Sequence, residues 1–359
     1  MSSLQTVQQA IEQIAALNQR LDVFSPFLSD SAVQEIAVNG PERVYLWKRG
    51  VWEKQDLPAL TLKLLGTIGS NLANYVSKDF DRNNTSLSAY LPSGERIEMT
   101  HPPTCPENIY YLNIRKHVTQ PFTHADLIEQ GYYKHVRHEC SLTLTPERRK
   151  ELAMHLSLAE KRLWLFACTG NWCAFMEQAV ATHQNIVTSG KTGSGKTSYM
   201  RSLVETIDPA ERIITVEDTP EMPLPNHPNS NSLFYRKSES GEGASAKEVL
   251  QAVMRKTGDR IILAELRGDE TMYYLSSVLN SAHPGGLTSV HANSPRDAID
   301  RIVLLIKSSA EGRGIDIATI KNLLYSTVNV VAQVVFDPEL GRHVSGIYYD
   351  PMYRLSLLD

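Results

Sequence analysis

The residues with the clearest chemical potential lie in a glycine-rich stretch near the middle of the chain. Residues 190–197 read Gly-Lys-Thr-Gly-Ser-Gly-Lys-Thr and match the pattern G-x-x-x-x-G-K-[ST] in full. In such a loop the glycines let backbone N–H groups turn towards a phosphate chain, and the following helix adds positive charge from its N-terminus. The stretch therefore predicts a nucleoside triphosphate site. Its predicted binding residues are Gly190, Thr192, Gly193, Ser194, Gly195, Lys196, Thr197 and Ser198.

Two side chains of this loop have distinct expected roles. The Lys196 ammonium is expected to reach the β- and γ-phosphates, and the Thr197 hydroxyl is expected to bind Mg²⁺. The alternative is a glycine-rich turn without a ligand. A strand pattern before the loop and a helix pattern after it favour the nucleotide site.

An acidic group follows the next apolar run. Residues 212–216 read as a strand, and Glu217-Asp218-Thr-Pro comes directly after it. Carboxylates at the carboxyl end of a parallel strand lie at the crevice where open α/β sheets bind ligands. Glu217 is therefore a candidate general base or water-positioning residue, with a solvated turn before Pro220 as the alternative.

Two later runs also end in polar residues. Residues 260–264 are followed directly by Glu265. This is the form of a Walker B strand, except that Ala264 stands where an aspartate is usual. Glu265 is expected to hold Mg²⁺ through water or to orient the attacking water. Residues 287–290 are followed directly by His291. The two alternative roles for this side chain are a structural histidine and a sensor of the γ-phosphate.

The elements that position these residues follow from the apolar pattern. Short runs rich in Val and Ile, at 186–188, 212–216, 260–264 and 287–290, alternate with helical segments. This pattern predicts a mostly parallel sheet with helices on both faces, hence an α/β fold.

The N-terminal part has a different pattern. An amphipathic helix over 5–21 and a helix over 57–78 accompany short alternating strands, with a hairpin around Pro92-Ser-Gly94. This predicts a small α+β domain. Helical stretches are also expected at 147–166 and 172–183. The predicted domains are 1–120 (N-terminal α+β), 121–150 (linker) and 151–359 (C-terminal α/β domain with the glycine-rich loop).

Composition limits the class of protein. The chain has 359 residues and a formal net charge of −4. Its share of hydrophobic residues, 42%, is typical of globular proteins. No apolar run is long enough to cross a membrane, and the first twenty residues lack a signal-peptide core. The expected location is cytoplasmic, with peripheral membrane contact. The acidic balance provides no general nucleic-acid footprint, although contact with DNA through a local basic face stays open.

The order of these motifs resembles one family. Four motifs occur in this order: the glycine-rich stretch 190–197 (the P-loop), the Glu-Asp group after residue 216, the Walker B-like Glu265 and "GGLTSVHAN". Together they resemble the motifs of the traffic ATPases of type II and type IV secretion systems and type IV pili. The stretches "EIAVNGPERVYLWKRGVW" and "LPSGERIEMTHPP" are similar to that family's N-terminal domain. "VEDTPEMPLPNHPN", the compact N-terminal domain and the lack of a four-cysteine insertion favour the type IV secretion (conjugation) branch.

The resemblance implies a RecA-like ATPase domain and catalytic roles for five residues. Glu217 would be the Asp-box acid, Glu265 the Walker B acid and His291 the His-box residue. Arg96 and Arg115 occupy stretches from which the family supplies arginines to the nucleotide phosphates. Such arginines neutralise charge as the γ-phosphoryl group departs.

The resemblance also implies partners and location. The protein would form a homohexameric ring on the cytoplasmic face of the bacterial inner membrane. With other secretion ATPases and inner-membrane components, it would use ATP to energise pilus assembly and substrate export. Alternatives are a RecA-like helicase or recombinase, a type II secretion or type IV pilus motor, and an ATP-dependent scaffold that barely hydrolyses ATP.

Overall fold

The computed structural model describes residues 3–48, 50–116, 122–141, 143–235, 243–280 and 283–358. The chain divides into two units, Met1–Gln120 and Pro121–Asp359. The boundary between them falls within residues 117–121, which lie outside the described residues.

The first unit contains an antiparallel six-stranded sheet with the order β3-β2-β1-β6-β5-β4. Its strands are β1 (Val33–Val38), β2 (Arg43–Lys48), β3 (Val51–Asp56), β4 (Ser86–Tyr90), β5 (Arg96–Thr100) and β6 (Tyr111–Arg115). Its helices are α1 (Ser3–Leu21), α2 (Ser25–Ser29) and α3 (Leu62–Val76). The prediction of an α+β unit at the N-terminus is confirmed.

The core of this unit lies on one face of the sheet. Leu17 of α1 and Ile68 of α3 share one apolar cluster with alternate strand residues such as Ile97 and Ile114. Because strand side chains alternate between faces, the neighbours of these strand residues point away from that cluster. In β5, Arg96 is accordingly exposed.

The second unit contains an eight-stranded sheet with the order β10-β9-β11-β12-β8-β13-β14-β7. From β10 to β13 neighbouring strands run parallel; β14 is antiparallel to β13, and β7 is parallel to β14. The strands are β7 (Arg137–Glu139), β8 (Ile186–Ser189), β9 (Ile213–Glu217), β10 (Ser230–Phe234), β11 (Arg260–Leu263), β12 (Leu287–Val290), β13 (Val330–Asp337) and β14 (Gly341–Tyr348).

Helices cover both faces of this sheet, as the sequence predicts. Every residue of β8, β9, β11 and β12 is buried, and alternate strand residues belong to two separate apolar clusters. The helices are α4 (His124–Glu129), α5 (Pro146–Met154), α6 (Leu158–Thr169), α7 (Trp172–Ala181), α8 (Lys196–Val204), α9 (Ala246–Val253), α10 (Glu270–Tyr273), α11 (Pro295–Ser308), α12 (Ile317–Thr327) and α13 (Pro351–Ser356). A π-helical turn, Tyr274–Leu279, continues α10.

The segment 121–150, which we predicted to be a linker, contributes to the second unit. Its described residues include α4, the start of α5, and β7, which pairs with β14 at the edge of the sheet. The helical stretch expected over 147–166 is two helices. The chain leaves the helix after Met154, and Ser157 starts α6 with a capping box in which it exchanges hydrogen bonds with Glu160.

None of the helices in the described parts of the chain combines the length and apolarity that a membrane span requires.

Candidate nucleotide site

The glycine-rich loop joins the buried strand β8 to the helix α8, as the motif requires. Gly193 and Gly195 have φ angles of +77° and +98°, a conformation that side-chain-bearing residues rarely adopt. A Cβ on Gly190 would lie 2.3 Å from the backbone oxygen of Val334, so the loop starts in close contact with β13. The glycines are therefore required by backbone conformation and by packing.

The remaining polar residues of the loop fit a phosphate and metal ligand. Ser194 is 3% exposed, and its Oγ has no hydrogen-bond partner among the described residues. Thr197 and Ser198 lie half-buried in the first turn of α8, and Thr192 is exposed. Hydroxyl and carboxylate oxygens are the ligands that Mg²⁺ prefers, often together with substrate phosphates. The residues present are therefore suited to a Mg²⁺-bound triphosphate.

Lys196 is directly connected to the histidine at the end of β12. It is 7% exposed, and its Nζ donates to the Gly190 oxygen at 2.8 Å and to His291 Nδ1 at 3.0 Å. Because an ammonium group has only donors, His291 Nδ1 accepts and its Nε2 carries the proton. Burial, together with the charge of Lys196, lowers the pKa of His291, which favours this neutral form.

Glu265 joins the histidine to two further charges. Its Oε1 lies 3.0 Å from His291 Nε2, and its Oε2 accepts a hydrogen bond of 2.7 Å from Arg267. Arg267 also forms an ion pair with Asp218. The order β9-β11-β12-β8 places these residues at the carboxyl ends of four adjacent parallel strands. We call the series Lys196–His291–Glu265–Arg267–Asp218 the strand-end chain.

Glu217 is next to Asp218 of the strand-end chain in the sequence, but its side chain has a different environment. It is 1% exposed; Thr215 Oγ1 donates to its Oε1 at 2.6 Å, and the N–H groups of Glu221 and Met222 donate to its Oε2 at 2.8 Å each. Burial raises the pKa of Glu217 despite these hydrogen bonds. Its carboxylate holds the loop that follows β9. Its assignment as a general base stays a prediction.

Arg96 and Arg115 lie in the first unit, and the structure brings them together. They are cross-strand partners of β5 and β6, and both are exposed. On the other side Arg115 is paired with Glu35 of β1. Like charges directly opposite each other destabilise a sheet, which makes this pair a favourable place for an anion.

Sequence reasoning did not assign a role to Gln333. This side chain is 2% exposed in β13, where it contacts Ser189 at the end of β8 and donates to the Ala292 oxygen at 3.2 Å. It thus connects the strand before the glycine-rich loop to the residue after His291. A glutamine within the apolar run 328–336 is the signal that indicates such a buried polar contact.

The chain is similar to known proteins of one family. Residues 169–342 match the family model "Type II/IV secretion system protein". The chain is 36% identical to the type IV secretion system protein VirB11 of Brucella abortus over 354 residues, covering 97% of this chain and 94% of that protein. It is 31% identical to the type IV secretion system protein PtlH of Bordetella pertussis, covering 97% and 98%.

A solved structure is similar over nearly the whole chain. The crystal structure of the VirB11 ATPase from the Brucella suis type IV secretion system, in complex with sulphate, has 34% sequence identity and a TM-score of 0.54. It covers 98% of this chain and 99% of that one, so the predicted architecture, an α+β N-terminal part followed by a RecA-like P-loop part, is confirmed. The chain belongs to the VirB11 family of type IV secretion system ATPases.

Proposed function

We propose that the protein binds ATP with Mg²⁺ in its second unit and that hydrolysis of ATP energises export by a type IV secretion (conjugation) system. The observation that carries this proposal is the strand-end chain, because it links the P-loop lysine to a histidine and an acid on neighbouring strands. A structural glycine-rich turn would not require these contacts.

The P-loop would hold the triphosphate. Backbone N–H groups of residues 193–198 and the N-terminus of α8 supply positive potential. Lys196 Nζ would replace one of its hydrogen bonds within the protein by bonds to the β- and γ-phosphate oxygens. Ser194 Oγ would gain a phosphate oxygen as its hydrogen-bond partner. The Thr197 hydroxyl would hold Mg²⁺, which neutralises charge on the β- and γ-phosphates.

Glu265 is the acid best placed to orient the attacking water. Its two oxygens are held by His291 and Arg267 at the surface of the site, with 15% of the side chain exposed. A carboxylate fixed in this way accepts a proton from a water without first having to be oriented. Glu217 is only 1% exposed and is bonded to the N–H groups of the loop after β9, so it would act through the loop that it holds.

Arg96 and Arg115 would contribute to the same reaction. We propose that the exposed pair binds phosphate oxygens of the nucleotide, supplying two forked donor sets where negative charge develops.

The active assembly would be a homohexameric ring. The residues 1–120 would serve as an N-terminal domain, 151–359 as the ATPase domain, and part of 121–150 as the connection. The ring would associate peripherally with the cytoplasmic face of the inner membrane and would act on pilus biogenesis and substrate export with other secretion ATPases and inner-membrane components.

The first test is ATP turnover, measured as phosphate release. Lys196→Ala should reduce turnover at least about a hundredfold, because a charge next to the departing phosphoryl group is lost. Lys321→Ala, at an exposed lysine paired with Asp300 on the surface, is the matched control and should keep wild-type turnover. Wild-type-like turnover in Lys196→Ala would overturn the proposal.

Two further measurements separate the assembly from the chemistry. Electron microscopy with and without nucleotide should show six-fold rings. A single-turnover assay should show cleavage at a rate that supports steady-state turnover, whereas a scaffold would bind ATP and barely cleave it. Turnover that DNA stimulates with a steep salt dependence would instead indicate a helicase.

A further inference from the structure

The strand order shows on which side of the P-loop the strand-end chain lies. The P-loop strand β8 lies between β12 and β13. All groups of the strand-end chain beyond Lys196 lie on the β12 side of it, at the ends of β12, β11 and β9. If these groups face the γ-phosphate, the nucleoside must leave the P-loop on the opposite side, over the β13–β14 hairpin.

That side of the P-loop carries an aromatic and cationic surface. The Arg342 guanidinium lies 5.5 Å from the ring centroid of Phe336, its cross-strand partner, and Phe336 is 39% exposed. Arg342 also donates to the Gly193 oxygen at 3.4 Å. A Cβ on Gly195 would lie 2.9 Å from Arg342 Cδ, so this side chain lies directly against the loop.

Tyr132, which is 4% exposed, lies against the same loop from another part of the chain. Its ring is stacked on Tyr199 of α8 at 6.0 Å between centroids, and its backbone oxygen accepts a hydrogen bond of 2.8 Å from Val344 of β14. The Tyr132 hydroxyl lies 3.4 Å from the position of a Cβ on Gly195. Burial raises the pKa of Tyr132 to about 12, so the hydroxyl remains a donor at neutral pH.

We propose that Phe336, Arg342 and Tyr132 form the nucleoside subsite of this ATPase, with the base and ribose lying over the β13–β14 hairpin. This inference rests on the proposed function and adds the residues that would hold the nucleoside half of ATP.

The chemistry of the three side chains fits a nucleoside. A guanidinium group over a phenyl ring offers a surface that is both cationic and aromatic, and bases stack on both aromatic rings and arginine planes. The Tyr132 hydroxyl is able to donate to a ribose or base oxygen or nitrogen. The close contact of Arg342 and Tyr132 with Gly195 places this surface immediately beside the phosphate-binding loop.

The test compares ligands that share the triphosphate and differ in the nucleoside. Calorimetry on the full chain, with Mg²⁺, measures the affinities for ATP and for inorganic tripolyphosphate. Phe336→Ala should weaken ATP binding about fivefold, the loss of one stacked aromatic contact, and leave tripolyphosphate binding unchanged within about twofold. Tyr132→Phe, which keeps the ring on Tyr199, should raise the KM for ATP about threefold without lowering kcat.

Phe234→Ala is the matched control, because Phe234 is an exposed phenylalanine of the same sheet, on the edge strand β10 and five strands from β13. It should leave both affinities unchanged. Equal weakening of ATP and tripolyphosphate in Phe336→Ala would show that the residue supports the P-loop alone, and unchanged ATP binding would remove it from the site; either result overturns the inference. A wild-type protein that binds neither ligand would instead overturn the proposed function as well.

Discussion

The two sheets of the molecule place their charged residues in different positions. In β5 and β6 of the first sheet, buried and exposed residues alternate, so Arg96, the first residue of β5, and Arg115, the last residue of β6, lie on an exposed face of the sheet. In β8, β11 and β12 of the second sheet every residue is buried, and the groups of the strand-end chain follow the strands. A sheet with one exposed face can present a ligand-binding group from a strand residue, whereas a sheet covered on both faces presents it only beyond the end of a strand.

The largest expected effect separates two strand-end acids. Glu265→Gln should lower kcat about 10³-fold, because the amide removes the carboxylate that faces His291 and Arg267. Glu217→Gln should retain ATP binding and slow hydrolysis less. Single-turnover rates at saturating ATP measure both. A fall in Glu217→Gln that equals or exceeds that in Glu265→Gln would make Glu217 the base, and wild-type turnover would exclude it from that role.

The opposite, amino end of β11 carries a structural charge. Arg260 is fully buried, donates to both oxygens of Glu211 at 2.6 and 2.9 Å, and donates to the Val180 oxygen at 2.8 Å. Arg260→Ala should lower the free energy of unfolding by about 3 kcal/mol, because Glu211 loses the partner that binds both of its oxygens in a largely buried position. Urea denaturation measures this. Lys321→Ala, which breaks an exposed ion pair, should cost less than about 1 kcal/mol; equal losses would contradict the structural role.

Burial in the second unit also predicts a dependence of stability on pH. His124 is 4% exposed, neither ring nitrogen has a partner among the described residues, and burial lowers its pKa to about 4. The unfolded chain therefore binds a proton near pH 6.5 that the folded chain does not bind, so stability falls as the pH falls below that value. From pH 7 to pH 5 the loss should be about 2 kcal/mol.

The variant His124→Phe tests this dependence by urea denaturation at the two pH values. The substitution removes the titrating group. The loss of unfolding free energy between pH 7 and pH 5 should therefore be about 2 kcal/mol smaller in the variant than in the wild type. An unchanged slope in the variant would show that other groups cause the dependence.

The smallest expected effect tests the exposed face of the first sheet. Arg96→Ala and Arg115→Ala should each lower kcat/KM about tenfold, since an exposed cation contributes less than a buried one. Arg82→Ala, at an exposed arginine of the same unit that pairs with Glu107, serves as the control and should have no effect. If neither arginine variant changes KM or kcat, the pair has no part in the reaction.

The residues that the sequence identifies are those whose role is local. Glycine, lysine and threonine in the P-loop are required by one strand–loop–helix unit, and all of them lie within eight positions. The acids and the histidine are visible because each follows a short apolar run, whose length and flanking turn residues indicate a buried strand.

The contacts between these residues are not predictable in the same way. The ion pair of Arg267 with Asp218 and the bond of Lys196 to His291 depend on strand order, which joins residues 49 and 95 positions apart. The hydrogen bonds of Glu217 depend on how the chain turns at residues 218–222. The pairing of Arg96 with Arg115 depends on β-sheet register, and a one-residue slip of either strand would move the arginine of that strand to the buried face.

The alternation of charge along the strand-end chain has a consequence for ionic strength. Lys196, Glu265, Arg267 and Asp218 follow one another with alternating sign around a neutral imidazole, so their fields nearly cancel beyond the site itself. Added salt should therefore change the affinity of the P-loop for a Mg²⁺-bound triphosphate only slightly. Arg96 and Arg115 on the first sheet face solvent, and their attraction for an anion should decline as the Debye length shortens.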